Sequence, residues 1–347
     1  AEMEVREPQI VLAAPLADAP SIATAGATFF LEGQVGAGTL HQLVSELSIY
    51  RPDPALDVKL SSRYDMRDGL GGAEAGAGYH RKAAGVEGRL SLRGERGRVR
   101  LEATFSDDDA GLQGQSDYES RILRRTVADL SGRLAVAPWL TLGADLSTSA
   151  TTLLLTRDEP VVATTWQVDP GLRGEVAVGP FSASVLLAYG LAVDSDLGAA
   201  THRFLPRLTL GLDLPLHLLL EADVGWHWRV GGPHLVPFTV ALSGTPVDPL
   251  WVRLAGGYRV VDRNRSDALR EMPYSLPPAG VASDERGWFG EASARVRVLG
   301  TLILSGGLEA VQRAGALTLA EAPDSSGLYA VEQVDLLRLR ASAGILW

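Results

Sequence analysis

Apolar and polar residues alternate one for one along much of this chain. In residues 55–64, Leu56, Val58 and Leu60 take turns with Asp57, Lys59, Ser61 and Arg63. In residues 97–106, Val99, Leu101, Ala103 and Phe105 take turns with Arg98, Arg100, Glu102 and Thr104. Residues 139–149, 217–229 and 288–298 repeat the pattern, the second of them setting Leu218, Leu220, Ala222, Val224, Trp226 and Trp228 against Glu221, Asp223, His227 and Arg229. At the end of the chain, Leu337, Leu339, Ala341, Ala343, Ile345 and Trp347 oppose Arg338, Arg340, Ser342 and Gly344. Successive side chains of a strand point to opposite faces, so a period of two predicts strands with one oily and one wet face. We read about 16 such segments, with about 14 or 18 also compatible, the least sharply patterned being residues 27–35 and 83–93. Runs of about 9 to 14 residues can cross a bilayer at a tilt. Strands of a soluble sandwich are usually shorter and turn their polar side outward.

The connections alternate in length. Short turns are expected at 51–54, 94–97, 137–138, 179–180, 214–216, 245–249 and 299–300. Longer polar stretches fall at 65–82, 107–120, 150–166, 193–202, 262–286 and 314–331, with two short connections near 36–40 and 230–233 on that same side. Trp139, Phe181, Trp251 and Trp347 sit beside short turns, and Phe204, Trp226, Trp228, Tyr258 and Trp288 sit towards the long loops. Amphipathic rings favour the two membrane interfaces, so the placement reads as two girdles. Strict alternation points Trp251 inward, and it joins its girdle only if a bulge or the rim turns it.

These features together resemble the Gram-negative outer-membrane β-barrel, whose periplasmic turns are short and external loops long. The resemblance covers residues 27–347 and is one of architecture. It implies an all-β fold, a transmembrane up-and-down antiparallel β-barrel in the bacterial outer membrane, with an even strand count and both termini on the periplasmic side. It also implies contact with outer-membrane lipid and lipopolysaccharide, and a closing strand whose Ile345 and Trp347 are read by the barrel-assembly machinery. Residues 1–26 have several prolines and no helical period, and are expected to form a separate extended segment.

Composition narrows the alternatives. No run approaches the roughly 18 apolar residues of a membrane helix. The absence of cysteine excludes a disulfide scaffold, a cysteine nucleophile and a lipid-bearing N-terminal cysteine. The formal charge of −10 argues against nucleic-acid binding. A start at Ala1 suits a product cut after a signal peptide.

Function is expected on the polar face. Arg63, Arg98, Arg100, Arg125, Arg133, Arg253, Arg259, Arg295, Arg297, Arg338 and Arg340 fall there, and with their neighbours they put more than half of the chain's 32 Lys and Arg inside a protein of negative total charge. In one reading they line a water-filled, net-positive channel that draws anionic solutes or polysaccharide. In the other, Arg–carboxylate ladders satisfy each other across the interior. The barrel is then a non-conducting anchor or scaffold of a multi-protein envelope complex, plugged by residues 1–26 or by a periplasmic or outer-membrane partner, with Ile10, Val11 and Leu12 as the anchoring residues. Residues 262–286, carrying Arg263, Arg265, Arg270 and Tyr274 among prolines, are the candidate for a loop folded into the channel, or equally for a surface loop that contacts a neighbour.

Catalysis finds little support. Asp223 and His227 share a face, but i and i+4 in a strand stand about 13 Å apart. The six histidines lack metal-ligand spacing, Asp107 to Asp109 lack the rest of a calcium loop, and the glycines form no phosphate cradle. No enzyme activity, catalytic residue, cofactor or metal is assigned. The closing strand makes a test. Ile345→Ala combined with Trp347→Ala should slow membrane insertion and leave protease-sensitive material, and normal yields of heat-modifiable folded protein would refute the assembly role.

Overall fold

The computed structural model describes residues 29–37, 42–53, 55–68, 80–111, 120–156, 160–272, 275–278, 283–299, 301–321 and 328–346. Ile10, Val11, Leu12 and Trp347 lie outside them. The described chain forms nineteen strands of one sheet. They are β1 Phe30–Ala37, β2 Leu43–Arg51, β3 Leu56–Asp68, β4 His80–Arg93, β5 Gly97–Gly111, β6 Ser120–Ala137, β7 Leu140–Thr156, β8 Val161–Val178, β9 Phe181–Asp194 and β10 Ala199–Phe204. There follow β11 Arg207–Leu214, β12 Leu218–Gly225, β13 His227–Arg229, β14 His234–Leu235, β15 Phe238–Val247, β16 Leu250–Arg263, β17 Ser283–Leu299, β18 Leu302–Glu321 and β19 Tyr329–Leu346. One helix, α1 Arg265–Glu271, lies between β16 and β17.

The described residues divide into two compact units, those within 29–130 and 148–164 in the first, and those within 131–147, 165–321 and 328–346 in the second. In the first unit β1 to β5 pair as successive antiparallel hairpins, which bring Leu31, Ile49 and Leu60 side by side across three strands. All three are exposed, as are Val86, Val99, Leu101 and Phe105. Lys59 and Arg89 pair on the opposite face, where the Arg89 guanidinium donates to Asp57 at 2.9 Å. In the second unit β15 to β19 place Leu254, Ala292, Leu308 and Ala341 in one row and Arg253, Ser293, Gly307 and Ser342 in the next. Leu308 and Leu339 are 66% and 73% exposed, whereas Glu291 and Glu309 on the other face are engaged by Arg253 and Arg338. Large apolar side chains thus sit on the open face, the reverse of a water-soluble sheet.

Three strands are interrupted, and the interruptions line up. β9 pairs with β10 and β11 in one unbroken register, β10 and β11 pair with β13 and β12 in another, and β12 and β13 pair with β15 and β14 in a third. Each pair of short strands is therefore one pass of the chain, and nineteen segments make sixteen passes. Proline cannot donate to a ladder, so the breaks fall at Leu205–Pro206, Trp226 and Val236–Pro237. The prolines still accept: Trp226 N–H reaches the Pro206 carbonyl at 2.9 Å and Gly225 N–H reaches that of Pro237 at 2.8 Å. Beside this seam the aromatics join. Tyr189, Phe204, Trp228 and His234 contact in sequence at centroid separations of 5.2, 5.2 and 5.5 Å. Trp288 touches both Phe238 and Tyr258. Trp251 does not join a girdle, because it pairs with Arg295 on the polar face and receives that guanidinium 5.3 Å from its ring centroid.

Strands run well into the stretches expected to be loops. β7 and β8 take up most of 150–166, and β18 reaches 20 residues. One face of these extensions is covered, with Thr151, Leu153, Leu155 and Ala163 buried, but Leu153, Leu154 and Leu155 run consecutively and leave no alternation to read. At the β2–β3 turn, Asp53 accepts the N–H groups of Ala55 at 2.8 Å and Leu56 at 3.1 Å. The bond from Ala55, then that from Leu56, hold its carboxyl below the usual carboxylate range. The turn's stabilisation is present above the ordinary carboxylate pKa and is lost as pH falls through the lowered one.

The two faces can be tested in liposomes. Leu142→Cys and Val224→Cys should resist a water-soluble thiol reagent, while Thr141→Cys and Glu221→Cys should react. Equal labelling of the two sets would contradict the assignment of faces.

Candidate functional site

The most elaborate polar constellation stands on β8, β9, β10 and β13. Gly190 on β9 lies opposite Arg203 on β10, and Arg203 lies opposite Arg229 on β13. Gly190 leaves a notch, and through it the Arg203 guanidinium reaches Asp169 Oδ1 on β8 at 2.9 Å. A Cβ at position 190 would stand 2.7 Å from Arg203 Nε, from Arg203 Nη2 and from Asp169 Oδ1. Any larger residue would make the Arg203 guanidinium or the Asp169 carboxylate shift.

From Arg203 the contacts run on as an alternating chain of acids and bases. Arg203 also pairs with Asp262. Arg229 Nη2 donates to Asp262 Oδ1 at 2.6 Å and to Asp284 Oδ1 at 2.7 Å, and His227 Nε2 meets Asp284 Oδ1 at 2.8 Å. Arg203, His227 and Arg229 are 4%, 3% and 7% exposed. Losing one partner of such a buried pair costs about 3–5 kcal/mol, mostly as the penalty of the charge left behind.

The carboxylates arrive from an unexpected side. β16 and β17 pair without a bulge from Leu250–Val296 to Arg263–Ser283. Asp262 and Asp284 therefore share a face with Leu254, Tyr258 and Trp288, which is the apolar one. Their partners His227 and Arg229 share a face with Glu221 and Asp223, which is the polar one. Both hold only if the tip of the β16–β17 hairpin turns over and lays its outer side on the inner side of its neighbours. The turn is built where β15 stops pairing with β16, at Phe238–Tyr258. A Cβ on Gly257 would come within 2.0 Å of the Phe238 carbonyl oxygen, and one on Gly287 within 1.7 Å of that of Gln312. The Arg259 guanidinium lies 3.4 Å from the Phe289 ring centroid at this bend.

Helix α1 extends the tip. Asn264 accepts the Asp267 N–H at 2.9 Å while the Asp267 carboxylate accepts the Asn264 N–H at 3.2 Å, a reciprocal cap. Asn264 Nδ2 also donates to Gln167 Oε1 on β8 at 2.7 Å, and Arg265 pairs with Asp196 of the β9–β10 turn at 2.6 Å. At the base of the tip Glu285, 4% exposed, receives Arg263 and Arg313.

None of the eleven arginines expected to line the interior belongs to this chain. Arg100 pairs with Glu102, Arg253 with Glu291, Arg338 with Glu309, and Arg133 comes within 4.0 Å of Glu175. Arg98 donates to Ser91 Oγ at 3.0 Å, Arg259 and Arg295 cover aromatic rings, and Arg125 lies half-buried on β6. Among the described residues Arg63, Arg297 and Arg340 make no ion pair. Of the stretch 262–286, residues 273–274 and 279–282 lie outside the described ones, and the helix within it was not foreseen. The Asn264–Asp267 spacing was the available signal. His227 meets Asp284 rather than Asp223, a pairing that no spacing along the chain foretells.

His227, Asp262 and Asp284 offer ligand atoms within 4.8 Å of one another, a donor set suited to a transition metal. A guanidinium already holds the place of that cation, since Arg229 contacts both carboxylates. The two carboxylates therefore act as the acceptors of Arg229, and His227 bonds to one of them, Asp284.

No protein-family model and no curated protein sequence matches the chain. Solved structures do. The copper transporter OprC superposes with a TM-score of 0.67 at 10% identity, over 92% of this chain and 58% of that one. The ferric enterobactin receptor PfeA of Pseudomonas aeruginosa gives 0.64 at 10% identity, over 91% and 58%. The FrpB iron transporter of Neisseria meningitidis gives 0.62 at 8% identity, over 88% and 57%. The chain thus spans little more than half the length of these proteins. The fold is that of the Gram-negative outer-membrane β-barrel, an all-β, up-and-down antiparallel architecture, and folds of this class reside in the bacterial outer membrane.

The notch predicts a defined lesion. Gly190→Ala should lower stability in urea unfolding by about 1–3 kcal/mol, as forced overpacking does. If it acts by displacing the Arg203 guanidinium, Gly190→Ala combined with Arg203→Ala should cost clearly less than the two single changes added together. Additive losses would separate the glycine from the ion pair.

Proposed function

We propose that this protein is an outer-membrane transport barrel whose polar face forms a hydrophilic path for anionic solutes. The carrying observation is the reversed dressing of the sheet, with Leu308, Leu339 and Ile345 open to the surroundings while the arginines face the other way. Such an exterior is matched by lipid and lipopolysaccharide, and its biogenesis requires the barrel-assembly machinery. Fold neighbours named as transporters and receptors support a transport role. Selectivity rests on what remains after local pairing. Paired cations such as Arg253 present little net field, whereas Arg63, Arg297 and Arg340 add fixed positive charge to a confined, weakly screened space. A second reading, a non-conducting barrel that anchors an envelope complex, is favoured by the hairpin tip resting on the polar face.

Current decides between them. In planar bilayers the protein should conduct, with a reversal potential in a salt gradient that indicates anion preference. Replacing Arg63, Arg297 and Arg340 by Gln should move that potential towards neutrality. Removing the neutral pair through Arg253→Gln with Glu291→Gln should leave it nearly in place. Cation preference in the parent would refute the anion path, and a silent parent whose silence survives opening of the tip would favour the scaffold.

A further inference from the structure

The hairpin tip meets β8–β13 through an interface of unusual chemistry. Its contacts are Arg203 and Arg229 with Asp262, Arg229 and His227 with Asp284, Gln167 with Asn264, and Asp196 with Arg265. Fully buried apolar side chains among the described residues of the tip are confined to Ala268 and Leu269. Elements meant to stay together normally bury oil, whereas paired charges can exchange each other for water when they part. The charged groups on both sides of this contact can be hydrated. The tip is joined to the rest of β16 and β17 at Gly257 and Gly287, and from Arg259 onward β16 has no ladder partner on the β15 side.

We propose that the tip of the β16–β17 hairpin, with α1, is a movable closure over the polar face, bent at Gly257 and Gly287 and latched by the acid–base chain from Asp169 to His227. Closed, it occupies the inner side of β10 and β13. Released, it swings off that side and bares Arg203 and Arg229, so that water or an anion replaces Asp262 and Asp284 as their partner. The latch is a two-state element because Asp262 and Asp284 are supplied by the moving part and Arg203, Arg229 and His227 by the fixed part. Its role as a gate rests on the transport reading, but the movement itself does not.

The native chain has no cysteine, so two introduced thiols can be spin-labelled cleanly. Leu197 in the β9–β10 turn and Arg270 on α1 are both exposed. With Leu197→Cys and Arg270→Cys labelled in liposomes, dipolar spectroscopy should give one short distance. Adding Asp262→Asn and Asp284→Asn should bring in a second, longer population and raise single-channel conductance severalfold. Should that variant fail to fold, Asp196→Ala with Asn264→Ala cuts the α1 side of the latch and should shift the distances the same way. A longer population with no current in any variant supports the closure and counts against transport. One unchanged distance in a folded latch variant overturns the closure, whatever the current.

Discussion

A peptide group in hydrocarbon has only another peptide group to bond with, and the rest of the structure follows from that. Each strand must find an antiparallel neighbour along its membrane length, which turns the sheet into a wall with two faces. The face towards lipid is then set to Leu, Val, Ala and Gly, and the other is free to carry charge. The prolines show how far the constraint reaches. Pro206 and Pro237 remove two donors, and they occur on the two passes that flank Gly225 and Trp226, whose N–H groups still use their carbonyls.

Once the backbone is satisfied, the polar face carries the specific chemistry. Buried ion pairs contribute little net stability compared with well-packed apolar residues, but a missing partner is heavily penalised, so they fix geometry more than they add strength. The chain from Asp169 to His227 shows this. It is assembled from strands far apart in sequence, and each guanidinium is held between two carboxylates. Glycine sets the spacing, at position 190 by letting a side chain cross a strand and at positions 257 and 287 by letting a hairpin fold over.

Architecture was legible in the sequence because a period of two is a direct image of the lipid boundary. Leu140, Leu142, Leu218 and Val224 declare their face without reference to any partner. The constellation at Arg203 was not legible, for two physical reasons. Its pairs depend on the register between strands, which no single segment encodes. Asp262 and Asp284 also obey the alternation of β16 and β17 and still meet the opposite face, since the hairpin itself turns over. Strand ends were misjudged where the alternation of apolar and polar residues stops, as at Leu153, Leu154 and Leu155 on β7.

The seam at Pro206, Trp226 and Pro237 has a bearing on how this protein can change over generations. The register sums are the same above and below it, so the gaps preserve odd and even positions as well as pairing. Loss or gain of one residue within the seam would exchange the faces of everything beyond it, sending Arg203 and Arg229 towards the acyl chains and Phe204 and Trp228 inward. Changes of two residues would slide the ladder yet keep each side chain in its own medium. The seam is therefore a reading frame, and insertions and deletions there are filtered by parity before they are filtered by size.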